Sequence, residues 1–420
     1  MLTKLKKIIR DYRIYFRLRR EWLRARKMSL AAKGSRVLIV PCDPWGVVGS
    51  RGDQAMVLSA IQHVKEVAPS AGIDILTDSH KTDDALKKIG LNPIAEWNEP
   101  FAEWIASSAS RYGNVYIVGA DVTDGVYGIM AAMKMVMFYD IFSKAGAEVR
   151  YLGFSWSESP HRLMKCVLGR LTPGLPLPVR DPISLKRLEI FTAHRPLVQV
   201  ADVAFMLKPR MTSRAKEIIG WCEEERSRGR TVVALNVHPM FNDVDSREAA
   251  WCKTFVRVIS SALDSHPEVS LLFVPHDNRP TVSDEKVLSR LFIGLTAEHQ
   301  SRCRLVKEVM DADEIKAVLG SVDGMIAGRM HISIAAFGQG VPVLGLVYQG
   351  KFEGLWDLLK LPVDTMLSPK KFLDNPNDAT LRIVGFIESL ASYRARVSES
   401  LPSVLELSAQ NFICAPEVRR

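Results

Sequence analysis

The stretch Asp323–Gly354, DGMIAGRMHISIAAFGQGVPVLGLVYQGKFEG, constrains the fold more than any other part of the chain. Asp323–Ala327 is short and mostly apolar, as suits a strand buried on both faces. Gly328, Arg329 and His331 follow, and then the apolar run Ile332–Phe337 ends at Gly338 and Gly340, a helix stop. Val341–Val347 has the composition of a second buried strand, with Pro342 at its start, where a missing N–H is tolerated. Tyr348, Gln349, Gly350 and Lys351 come next, and Phe352–Lys360 reads as another helix. Two parallel strands joined through a helix present their carboxyl ends on one edge of a sheet, and open α/β sheets bind ligands at that edge.

Arg329 and His331 leave one such strand end and Lys351 leaves the next. Three groups able to carry positive charge thus gather beside a helix N-terminus, whose free N–H groups already favour an anion. A phosphorylated or carboxylated substrate fits. Taken singly, Arg329 or Lys351 is compatible with plain surface charge, and His331 with a hydrogen-bonded helix-start residue. Topology is what groups them.

The same alternation runs through the rest of the chain. Arg36–Pro41 reads as a strand entering the glycine-rich turn Gly46, Gly49 and Gly52-Asp53, after which a helix proceeds to about Val67. Such a turn lets backbone amides approach a ligand closely, but it matches neither the phosphate loop of ATPases nor the dinucleotide fingerprint, which disfavours ATP and NAD. Asp53 either orients or deprotonates an acceptor hydroxyl or stabilises the first helical turn. Ile73–Thr77, Val115–Gly119 and Val149–Phe154 read as strands, Asn92–Phe101 as a loop, and Gly128–Ala145 as a helix whose methionines fill core. Asp121 follows one of these strand ends.

In the second half, Thr231–Val237 ends at His238 and Ser270–Pro275 at His276, each either lining a cleft or serving as a structural histidine. Asp311-Ala-Asp-Glu314 opens a helix with acids in its first turn, as the dipole prefers. The expectation is an α/β protein of two doubly wound Rossmann-like domains facing a cleft, GT-B-like, over residues 36–208 and 209–420, with a helical C-terminus.

The net charge of +9 suggests a polyanionic partner until its location is considered. Residues 1–36 hold 13 Lys/Arg and 2 acids, whereas the remaining 43 Lys/Arg face 45 acids. The body is nearly neutral, and residues 1–35 form a basic segment with Leu5, Ile8, Ile9, Tyr12, Tyr15, Phe16, Trp22 and Leu23 near helical spacing. That pattern is either a basic amphipathic helix on an anionic membrane surface or a solvated tail, and no nucleic-acid-binding motif accompanies it. Six scattered cysteines without metal-ligand spacing point to free thiols in the cytoplasm and to no metal site. No stretch approaches the roughly 20 apolar residues of a spanning helix, and the basic N-terminus lacks a signal peptide's apolar core.

Several of these segments together resemble the polysaccharide pyruvyl transferases. They are R-x-H at Arg329-Met-His331, G-V-P-V at Gly340–Val343, Y-x-x-K at Tyr348–Lys351 and G-D-x-A at Gly52–Ala55. V-R-D-x-x-S at Val179–Ser184 and D-x-A-F at Asp202–Phe205 complete the set. Where related sequences carry a run of glycines, this chain has Ala120 and Asp121. The resemblance implies transfer of the pyruvyl group of phosphoenolpyruvate, a co-substrate, to two hydroxyls of a sugar or lipid-linked oligosaccharide, giving a cyclic ketal and phosphate, without cofactor or metal. It implies that Arg180, Arg329 and Lys351 bind the donor and that His331 protonates its methylene carbon. For Arg180 the alternative is an Arg180–Asp181 network capping a helix that starts near Ser184. The rival functions are a sugar-nucleotide glycosyltransferase and a non-catalytic saccharide-binding scaffold.

Overall fold

The computed structural model describes residues 2–45, 47–192, 195–239, 248–279, 283–347 and 352–413. Gly46 and Lys351 of the expected site therefore lie outside the described residues, as does Tyr348. The chain groups into two compact units. The first holds residues 1–48, 56–203 and the stretch from 405 onward, and the second holds 49–55 and 204–404. Each is built on one fully parallel sheet.

The first sheet contains β1 (Arg36–Val40), β2 (Ile73–Leu76), β3 (Asn92–Ile94), β4 (Tyr112–Ala120), β5 (Glu148–Phe154), β6 (Leu177–Val179) and β7 (Leu197–Gln199). Its order is β3-β2-β1-β4-β5-β6-β7, doubly wound with the switch point between β1 and β4. The second contains β8 (Thr231–Asn236), β9 (Val269–Phe273), β10 (Cys303–Leu305), β11 (Gly324–Ala327), β12 (Val343–Leu346) and β13 (Met366–Leu367). Its order, β10-β9-β8-β11-β12-β13, places the switch point between β8 and β11. The central strands are continuous apolar runs with helices on both faces. Leu38, Ile39 and Val40 in β1, and Val232 to Leu235 in β8, have no accessible surface. Four short strands, β3, β6, β7 and β13, lie in segments without a periodic apolar signal. Asn92–Ile94, expected to be loop, pairs along the sheet edge, where Pro93 is tolerated.

The helix Ile129–Lys144 is core, with Met133, Met135 and Met137 fully buried. It carries one carboxylate, Asp140, with no exposure. That carboxylate holds the N-terminal helix, Leu2–Ala25, in place. Trp22 Nε1 donates to Asp140 at 2.7 Å, Arg26 donates to both its oxygens at 2.7 and 3.0 Å, and Thr172 adds its amide and hydroxyl at 2.8 and 2.6 Å. The N-terminal helix packs on Ile129–Lys144 and on Phe101–Ser108. Its two acids face inward, Asp11 to His161 Nε2 at 3.3 Å and Glu21 to the amide of Ala102 at 3.2 Å. The segment is thus neither a separate tail nor a free helix. Tyr15, Leu18, Trp22 and Ala25 form a buried face that its outward apolar positions obscure in the sequence. The C-terminal stretch also returns to the first unit, where Asn411 accepts from Gly153 N at 2.6 Å and Phe412 stacks on His63 at 4.0 Å. Among the described residues, no helix is long and apolar enough to cross a membrane.

Replacing Asp140 leaves the Arg26 charge and the Trp22 N–H without their acceptor. Asp140→Ala is expected to cost about 3–5 kcal/mol and to make the N-terminal helix sensitive to limited proteolysis. Thermal denaturation and digestion of the purified variant check this.

Candidate functional site

At the carboxyl edge of the second unit, three strand ends meet on one carboxylate. Asp284, in the first turn of the helix Asp284–Gly294, has no accessible surface. It accepts from Asn236 Nδ2 at the end of β8 at 3.0 Å and from the amide of His276 beyond β9 at 3.0 Å. From beyond β11, Arg329 donates to it through Nε at 2.8 and 2.9 Å, and its Nη2 lies 2.7 Å from Oδ1. Burial pushes the Asp284 pKa up, and Arg329 opposes that shift. The remaining guanidinium nitrogen of Arg329, Nη1, lies 3.1 Å from Asp277, which is also held by Arg279 at 2.7 Å. Two arginines and two carboxylates therefore balance.

The glycine-rich segment at 49–55 belongs to this same unit. Ser50 bridges Asp277, the Asn278 amide donates to Gly49 O at 3.1 Å, and the Arg51 amide donates to His276 O at 3.3 Å. Gly52 is pressed against the His331 imidazole: a Cβ there would sit 2.4 Å from Nδ1 and 2.8 Å from Cγ. Glycine at 52 is required by this ring. Arg51 is buried, and burial lowers its pKa while Asp311 raises it. Gln54 fixes the segment by donating to Asp311 at 2.8 Å and accepting from the Ala312 amide at 2.9 Å. Asp53 lies in the first turn of the helix Arg51–Val67, its amide 3.4 Å from Ser50 Oγ.

His276 is fully enclosed. Burial, followed by the charges of Arg329, His331 and Arg51, holds its pKa well below the ordinary histidine value, so it is neutral at pH 7. His238, buried at the end of β8, lies against Gly328, where a Cβ would meet the His238 amide at 2.6 Å. The structure thus brings together Gly49, Gly52, Asp53, His276, Arg329 and His331 in one unit, with His238 at the adjoining strand end.

Arg180 and Asp121 occupy the carboxyl edge of the first unit. Arg180 is buried, donating to Asp202 at 2.6 Å through Nη1 and to Ser155 Oγ at 2.6 Å through Nε. Burial works against its charge, but Asp202, Asp121 and Asp181 outweigh burial and raise its pKa. Asp181 does cap the following helix, accepting from the Ser184 amide at 2.7 Å, whereas the ion-pair partner of Arg180 is Asp202. Ala120 adopts φ +49, the left-handed conformation that glycine takes freely, so the loop keeps a glycine-like turn at this alanine. Asp121 accepts from Tyr127 at 3.4 Å.

Arg51, Gln54, Asp277 and Asp284 were not singled out by sequence reasoning. Their partners lie mostly in segments remote along the chain, as with Gln54 and Asp311 or Arg329 and Asp284. Among the described residues no group of three His, Cys, Asp or Glu side chains is arranged to hold a metal ion.

Two doubly wound parallel-sheet units of this kind occur in several solved structures. A UDP-GlcNAc 2-epimerase from Neisseria meningitidis, solved bound to UDP-GlcNAc, is 12% identical, with TM-score 0.53 over 89% of this chain and 97% of its own. The N-terminal domain of trehalose-6-phosphate phosphatase from Candida albicans is 11% identical, with TM-score 0.51 over 91% of this chain and 96% of its own. These similarities concern the fold. No curated protein sequence matches the chain. The family model for polysaccharide pyruvyl transferase matches residues 51–350. The chain belongs to the polysaccharide pyruvyl transferase family, and so to a family of transferases.

A methyl group at position 52 must displace the imidazole of His331. Gly52→Ala is expected to retain a near-normal melting temperature and to lose about 100-fold in turnover, the scale of a 1 Å misplacement of a reacting group. Parallel melting and rate measurements check it.

Proposed function

We propose that this protein transfers the pyruvyl group of phosphoenolpyruvate to two hydroxyls of one sugar in a polysaccharide or cell-envelope glycan precursor, in the cytoplasm. The observation that carries the reading is the seating of His331 on Gly52, beside Arg329 and Arg51, at the switch-point edge of the second sheet. In this scheme His331 gives a proton to the methylene carbon of the donor, and C2 becomes an oxocarbenium-like electrophile. One sugar hydroxyl adds to C2 and loses its proton. The second hydroxyl then bonds to C2 as the C–O bond to phosphate breaks, its proton leaves with the departing phosphate, and the products are the ketal and inorganic phosphate. Asp53 serves as the group that orients or deprotonates an acceptor hydroxyl.

The donor carries a carboxylate and a phosphate, so the site needs cations whose charge is not already matched. Arg329 offers N–H groups, but Asp277 and Asp284 already balance its charge together with Arg279. Its contribution is therefore mainly to fix the strand end that delivers His331. The family motif assigns the neutralising role to Lys351. Arg180, the other family arginine, is committed to Asp202. Its donor-binding role rests on the family motif alone. His276, held neutral, adds no charge to the site.

Purified protein supplied with isotope-labelled phosphoenolpyruvate and a glycan-precursor extract should release phosphate and label the glycan. His331→Ala should abolish both while leaving donor binding measurable. Transfer from UDP- or GDP-sugars instead, or full activity of the His331 variant, would overturn the assignment.

A further inference from the structure

We propose that the N-terminal helix Leu2–Ala25 is a prebuilt docking face for an anionic lipid membrane surface. The inference rests on the helix's own surface and not on the transferase reading.

Docking on the first unit sorts this helix into three faces. The first is spent inward on Asp140, His161 and helix Phe101–Ser108, and it consumes both acids of the segment, Asp11 and Glu21. The second is an outward apolar stripe at helical spacing: Leu5 is 56% exposed, Ile9 44%, Tyr12 36%, Phe16 56% and Leu23 41%. The third, flanking the stripe, is purely cationic, with Lys6, Arg10, Arg13, Arg17, Arg20 and Arg24 all exposed. An apolar stripe bordered by a continuous cationic band is what an interfacial helix presents to anionic headgroups and acyl chains.

The alternatives fit this surface less well. Self-association through the stripe in a two-fold manner would set two cationic bands against each other. A nucleic acid would engage the arginines and leave five large apolar side chains in water. A membrane satisfies both faces at once. The helix is also already folded and anchored before it meets a surface, so binding does not have to order it.

The anchoring ties the docking face to the carboxyl end of the first sheet. Asp11 meets His161 Nε2, and the His161 amide donates at 2.9 Å to Asp124 O in the loop following β4. That loop exposes Val126 (48%) and Tyr127 (62%).

The test is co-sedimentation of the full-length protein with vesicles of phosphatidylglycerol and phosphatidylcholine against pure phosphatidylcholine. Partition should be at least about tenfold stronger on the anionic vesicles and should weaken with added salt. A Leu5→Asp/Phe16→Asp double variant, altered only at exposed positions, should keep its melting temperature and lose about tenfold or more in partition. Equal partition of variant and parent would overturn the proposal. So would tight binding of a DNA duplex that the variant retains in full, or loss of an oligomer by the variant without any vesicle binding.

Discussion

A single buried carboxylate, Asp284, sets the geometry of the second unit's edge. Three strand ends that are far apart in sequence reach it, from Asn236, His276 and Arg329. Burying an unpaired carboxylate is costly, and here the charge is matched by a two-pronged guanidinium and by two neutral donors. Such a pair contributes little net stability compared with an apolar equivalent, and its value lies in fixing one arrangement. Arg329 cannot move without exposing an uncompensated charge, and His331 is two residues away. The general acid of the proposed reaction is thereby placed by electrostatics, and Gly52 then limits where its ring can lie.

The first unit repeats the device with different residues. Arg180 leaves β6 and is clamped by Asp202 from beyond β7, while Ser155 from the end of β5 accepts from the same guanidinium. In each unit an arginine at a strand end is locked by a carboxylate of another segment. Arginine suits this task because its planar fork engages partners in a fixed geometry and stays charged when buried. A carboxylate plays the corresponding part away from the edge, where Asp140 fastens the N-terminal helix to the first unit.

Much of this was legible in the sequence where physics is local. β1, β5, β8 and the helices Arg51–Val67 and Ile129–Lys144 announce themselves through apolar runs and glycine boundaries. The family motifs pointed to Gly52, Arg180, Arg329 and His331. The short strands β3 and β6 were hidden because each contains a proline and only three residues. Ion-pair partners were hidden by distance along the chain: 45 residues separate Arg329 from Asp284, and 22 separate Arg180 from Asp202. The capping half of the Arg180–Asp181 network holds, with Asp181 accepting from the Ser184 amide, while the ion-pair partner of Arg180 is Asp202. For the N-terminal segment, helical amphipathicity was readable, but a helix with one face docked and another exposed has two apolar stripes, and the spacing alone merges them.

In the proposed reaction His331 works at the donor site, beside the neutral His276. The most direct measurement is a histidine-selective NMR titration of the purified protein with phosphoenolpyruvate. The resonances of His331 and His276 should move together and saturate, while those of His266 and His299, paired with Glu268 and Asp264, stay still. UDP-sugars should leave all four unchanged. A His331 signal that does not respond to saturating phosphoenolpyruvate, or that moves as far with a UDP-sugar, would contradict it.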